Sequence, residues 1–178
     1  PTAPAADDLP AGALPSGVAL LFGCHTAGTT EVDPYDEPDL SRAQISAPEP
    51  FVAALAQRLL GRRGGALGVI GHAGRAFEAG IEWRGIRQCA AFEDAVTALL
   101  QGRRLGEAVD GFGQRFADLA ASWIREQMSG AESTKSDPLN LWIALHDSQS
   151  WCLLGDPAVR LAREGDPRAV PLPRPLQM

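Results

Sequence analysis

Two short, uninterrupted apolar runs constrain this fold more than any other feature: VALLFG, Val18 to Gly23, and ALGVIG, Ala66 to Gly71. Each ends in glycine and shows no polar alternation, as expected of strands buried on both faces of a parallel sheet. Between them lies FVAALAQRLLGRRGG, where Phe51, Val52, Leu55, Leu59 and Leu60 recur at helical spacing. Pro48-Glu49-Pro50 leads into that segment, and Gly61, Gly64 and Gly65 supply its stop. Strand, helix, strand is the simplest parse, and such a crossover is right-handed with parallel strands.

The remaining segments extend this α/β pattern. Thr26 to Pro50, rich in Gly, Asp, Glu and Pro, reads as a loop. Its length exceeds the usual connection, and such loops in compact domains tend to be functional or mobile. Phe92, Val96, Leu99 and Leu100 mark a second helix. Leu105, Val109, Phe112, Phe116, Leu119 and Trp123 mark a longer third one, which Gly111 and Gly113 weaken locally. The polar run SGAESTKSD before Pro138 reads as an exposed loop. LWIALHDSQSWCLLGDPAVRL then returns to apolar character, with a third strand at Trp151 to Leu154 closed by Gly155-Asp156-Pro157.

Residues 1–17 have linker composition and open on Pro1 rather than Met, which reads as part of a longer protein. Residues 163–178 form a proline-rich tail. The 178 residues, 45% of them hydrophobic, are enough for one domain with a real core, over residues 18–162.

Charge and cysteine usage exclude several classes. A formal net charge of -6 argues against a nucleic-acid partner, which generally requires a clustered excess of Lys and Arg. No apolar run approaches the roughly 18 residues of a spanning helix, so no membrane partner is expected. Cys24, Cys89 and Cys152 are odd in number and widely spaced, fitting neither a disulfide framework nor a metal site. Reduced thiols in a cytoplasmic protein are the expected state. GGALGVIGHAG lacks a P-loop lysine, no GxSxG elbow occurs, and no cofactor or metal is implied.

Chemistry is therefore expected at the carboxyl ends of the strands, where ligands of open parallel sheets bind. Cys24 and His72 each follow directly on a strand and its glycine, so they share one edge of the domain if the strands are neighbours. Cys24 is either a nucleophile activated as thiolate or a small buried side chain. Backbone N–H groups of Ala27 to Thr30 would approach a developing oxyanion. His72 is either a polar partner of the thiol or a residue that caps its strand and anchors Arg75 or the next loop. His25 reads as a loop residue, His146 as a turn histidine, and Asp156 as a residue that pairs with Arg160 or caps a turn. Cys89 carries little functional weight, and Cys152 reads as core.

In this order, LLFGCHTAGTT, FVAALAQRLLGRRGGALGVIGHAGRAFEAG and WCLLGDPAVRL resemble the C-terminal half of caspase-like cysteine peptidases, in the CHAT and gingipain-like branch. The resemblance runs from Val18 to Leu161 and implies a caspase-type three-layer α/β sandwich, a mostly parallel sheet flanked by helices. It places Cys24 at the position of the nucleophile of a bacterial endopeptidase acting on a protein or peptide substrate. The family's general-base histidine lies on a preceding strand, and residues 1–17 contain none. The resemblance then implies a processed piece or fragment whose base lies upstream, an inactive domain serving as an interaction module, or His72 as substitute base. The acidic residues Asp33, Asp36, Glu37 and Asp39 point to a basic residue before the scissile bond. A small-molecule hydrolase on a doubly wound sheet ranks last, because His72 is its only local acid-base candidate.

Overall fold

The computed structural model describes residues 9, 14–32, 47–83, 86–129 and 137–162. They form a mixed α/β structure around a three-stranded sheet, with two small antiparallel ribbons beside it. The acidic run from Asp33 to Asp39, most of the polar run before Pro138 and the proline-rich tail lie outside the described residues.

The central sheet holds strands β1 (Val18–Leu20), β4 (Gly68–His72) and β7 (Trp151–Gly155) in the order β1-β4-β7. β1 and β4 are parallel, with Val18 opposite Gly68 and Leu20 opposite Ile70. That is the pairing expected of a strand-helix-strand crossover. The sheet is not mostly parallel, however, because β7 runs antiparallel to β4, with His72 opposite Trp151 and Gly68 opposite Gly155. The cause is a helix that the apolar pattern left unassigned, α4 (Pro138–Gln149). It ends at the carboxyl end of β4, where Ala73 N–H donates to Ser150 O at 2.8 Å. A strand that begins there can only run back.

Alternation along the strands divides the core in two. Val69 and Ala19 pack with Ala56 and Leu59 of α1 (Ala54–Gly61) on one face. Ile70, Val18 and Leu153 pack on the other face, against Ala91, Ala95 and Leu99 of α2 (Ala90–Leu100) and Leu105, Ala108 and Phe112 of α3 (Leu105–Ser129). The alanine-rich face of α2 lets α3 approach closely. Gly102, at φ 72°, turns the chain between them. Its N–H donates to Leu99 O at 2.9 Å and that of Arg103 to Ala98 O at 3.0 Å, a Schellman closure.

Helix α1 begins later than its apolar spacing suggests. Phe51–Val52 is β3, paired with β2 (Gly28–Thr29) inside the segment read as loop. The first run likewise yields only three strand residues, and Phe22 beyond them is 48% exposed. A second ribbon, β5 (Glu82–Trp83) with β6 (Ile86–Arg87), follows a 3-10 turn at Glu78–Gly80. Helix α4 is opened by Asp137, whose side chain accepts from Asn140 N–H at 3.4 Å, with proline in the first turn. Leu9, in the stretch read as linker, packs on the α1 face, and Arg62 Nη1 donates to its carbonyl at 3.1 Å.

Candidate functional site

Because β1 and β4 are parallel neighbours, the loops that leave them lie side by side. They are joined by a short series of bonds. Thr26 Oγ1 accepts from His72 N–H at 3.0 Å and donates to Leu21 O at 3.1 Å. Ala27 N–H donates to His72 O at 3.1 Å and His25 N–H to Gly74 O at 2.7 Å. Gly71 makes this approach possible, since a Cβ there would meet Ala27 N at 3.1 Å. Cys24 and His72 therefore do share one edge of the sheet.

Cys24 is exposed, and the backbone of Ala76 brackets its sulfur. The Ala76 N–H donates to Sγ at 3.4 Å, and Sγ lies 3.6 Å from Ala76 O. The next residue, His25, is held at φ 56°, a left-handed conformation uncommon outside glycine, and among the described residues its buried Nδ1 has no hydrogen-bond partner. Strain of this kind persists only where the surroundings over-determine it.

His72 is placed differently. Its side chain is fully buried, its Nδ1 lies 3.1 Å from Gly74 O, and its Nε2 lies 3.1 Å from Asp147 O and 3.4 Å from Asp147 Oδ1. Its ring also meets Trp151 edge-on, with centroids 5.3 Å apart. Among the described residues no hydrogen bond joins His72 to Cys24. It anchors the loop that follows its own strand. Asp147, 1% exposed, was not singled out by the sequence. The signal for it was the Asp137-Pro138 start of α4, from which Leu141, Ala144 and Ser148 follow on the buried face with Asp147.

An aromatic cluster reaches the surface at Phe22, shortly before Cys24 in the chain. Phe22 packs on Trp151 and Phe92, with centroids 5.6 Å and 5.9 Å away, and Phe112 stacks on Trp151 at 5.4 Å. Arg75 lies over the Phe77 ring at 5.8 Å. The expected oxyanion donors are partly committed elsewhere: Ala27 N–H is bonded to His72 O, and Gly28–Thr29 belongs to β2.

The other candidates take structural places. Asp156 caps its turn by accepting Ala158 N–H at 2.8 Å. His146 is in helix α4 rather than a turn, its ring 4.5 Å from that of Trp142, and burial lowers its pKa. Burial raises that of Cys152 in β7. Among the described residues no three His, Cys, Asp or Glu side chains gather to hold a metal, and no helix is long and apolar enough to cross a membrane. A cleft of about 540 Å³ between α2 and α3, lined in part by Gln88, Asp94, Arg115 and Asp118, includes none of the residues around Cys24.

The fold and site thus define a class, an α/β domain that presents an exposed thiol at the carboxyl end of a parallel strand. No family model, curated protein or solved structure matches the chain.

Proposed function

We propose that this is the Cys-bearing part of a caspase-like cysteine endopeptidase, built on a three-layer sandwich of the CHAT and gingipain-like type. The observation that carries the reading is the Cys24 thiol, exposed at the end of β1 with a backbone N–H on its sulfur. The order of motifs, LLFGCHTAGTT to WCLLGDPAVRL, supports the family assignment. In the proposed reaction the thiolate attacks the peptide carbonyl carbon, forming a C–S bond and an oxyanion. In this scheme a backbone N–H near the nucleophile, such as that of Cys24, which makes no backbone hydrogen bond among the described residues, receives the oxyanion. Collapse breaks the C–N bond, a histidine protonates the leaving amine, and water hydrolyses the thioester. His72, held at both ring nitrogens, is a support in this scheme. The base comes from polypeptide outside the described residues.

A second reading, a silent domain that binds a partner protein, is favoured by one feature. β1 has an unpaired outer edge among the described residues, and Leu20 and Phe22 beside it are exposed. A peptidyl acyloxymethyl ketone library separates the two, applied to this chain and to its longest native form. The peptidase reading expects a covalent adduct on Cys24 in the longest form, absent in Cys24→Ala. No adduct in either form refutes it and leaves the binding module.

A further inference from the structure

A buried carboxylate is costly unless hydrogen bonds and opposite charge compensate it. Asp147 is 1% exposed, so its partners indicate what it is retained to do. Its Oδ1 accepts the Phe77 N–H at 3.1 Å and lies 3.4 Å from His72 Nε2. Both partners border the clamp on Cys24. Phe77 follows Ala76, whose N–H is on the sulfur. The other nitrogen of His72 faces Gly74 O, which also receives the N–H of His25, the residue after Cys24. Asp147 therefore ties both arms of the loop that brackets the thiol, Phe77 through its carboxylate and His72 through its backbone O at 3.1 Å together with the carboxylate. The 3-10 turn is shaped around it, since a Cβ on Gly80 would overlap the Asp147 carboxylate. Arg115 adds a distant counter-charge: burial lowers its pKa, and the field of Asp147 offsets part of that.

We propose that Asp147 is a positioning residue for Cys24, holding the loop from Gly74 to Phe77 so that the Ala76 N–H stays on the sulfur. The role rests on the reading of Cys24 as a nucleophile. An apolar residue would fill the same space and keep its backbone O on His72 Nε2, but it could not accept the Phe77 N–H.

The test is the alkylation rate of Cys24 by iodoacetamide at neutral pH in the full chain, mapped by mass spectrometry. N-acetylcysteine is the reference, and Cys152 serves as an internal reporter of loosening. Wild-type Cys24 is expected to outpace the reference. Asp147→Ala is expected to slow Cys24 about five- to tenfold, the worth of roughly one hydrogen bond, with Cys152 unchanged. Asp147→Asn, whose amide oxygen still accepts the Phe77 N–H, is expected to stay within about twofold. Gly80→Ala displaces the carboxylate without removing it, and it too is expected to slow Cys24.

A merely structural role would instead speed Cys152 and leave Cys24 no slower, and that result overturns the proposal. So does a wild-type rate for Cys24 in both Asp147→Ala and Gly80→Ala, or an Asn variant as slow as the Ala one. If Asp147→Ala does not fold, the Gly80→Ala rate decides alone. Wild-type Cys24 no faster than the reference defeats the nucleophile reading and this role with it. A fast wild type with unmoved variants defeats this role only.

Discussion

The carboxyl ends of β1 and β4 lie side by side and treat their titratable side chains in opposite ways. At the end of β1 the Cys24 thiol is exposed and touched by backbone groups of Ala76. At the end of β4 the His72 ring is sealed from solvent, and its partners include the carboxylate of another buried side chain. The β1 end keeps a strained backbone at His25, whereas the β4 end keeps a satisfied polar cluster. Under the proposed reading of Cys24 as a nucleophile, the difference separates two tasks that one sheet edge has to meet. Reactivity needs an accessible atom whose surroundings can be fixed without covering it, and the neighbouring strand supplies the rigid part.

The largest effect expected from this contrast is on stability. His72→Ala leaves a cavity at a fully buried site and takes from Asp147 the ring that faced its carbonyl and carboxyl oxygens, a cost of about 2–5 kcal/mol. Cys24→Ser changes one exposed atom and should cost no more than about 0.5 kcal/mol. Urea midpoints of the two variants check both values. Equal midpoints would break the comparison, because the two strand ends would then be energetically alike.

This asymmetry also explains how much could be read from the sequence. The VALLFG and ALGVIG runs placed the parallel pair, and with it Cys24 and His72 on one edge, because apolar runs ending in glycine report burial directly. Their fates differ for a reason that lies far along the chain. Whether His72 is free or sealed depends on Asp147, 75 positions away, on a helix whose amphipathic signal is weak. Helix α4 is bounded on its polar side by side chains such as Asn140 and Gln149, yet Leu139 is exposed, so its apolar pattern does not outline one face. The antiparallel return of β7 was hidden for the same reason, since it follows from where α4 ends. Phe51 and Val52 misled the start of α1 because apolar spacing does not distinguish a helix turn from a short strand that Gly28–Thr29 can pair. The thiol's environment was the least legible part, because it is made of backbone groups at Gly74 and Ala76 that no side-chain pattern encodes.

A smaller effect sharpens the strained half of the comparison. A left-handed conformation costs a residue with a Cβ roughly 1–2 kcal/mol, and glycine avoids that at an entropic cost of about 0.5–1 kcal/mol. His25→Gly also removes the buried Nδ1, which has no partner among the described residues. The net expectation is a stabilisation of about 1 kcal/mol, read as a rise in the urea midpoint. A fall would show that packing of the His25 ring outweighs the strain, and the β1 end would then be held by its side chain as the β4 end is.

The smallest effect lies on β7, which closes the sheet on the His72 side. Burial raises the Cys152 pKa above its ordinary 9.0, so on raising the pH the unfolded chain sheds this proton first. Between the two values the folded state binds more protons, and stability falls as pH rises through that window. The contribution is fully present below pH 9.0 and is lost on the alkaline side. Cys152→Val keeps a similar volume in the strand and should flatten this part of the profile, so that its urea midpoint declines less than that of wild type between pH 8 and pH 10. The difference between the two profiles isolates Cys152 from other groups that titrate there. If they stay parallel, the Cys152 thiol is solvated in the folded protein, and the sealed character of the β4 end does not extend across the pair Gly71 and Cys152 into its neighbour.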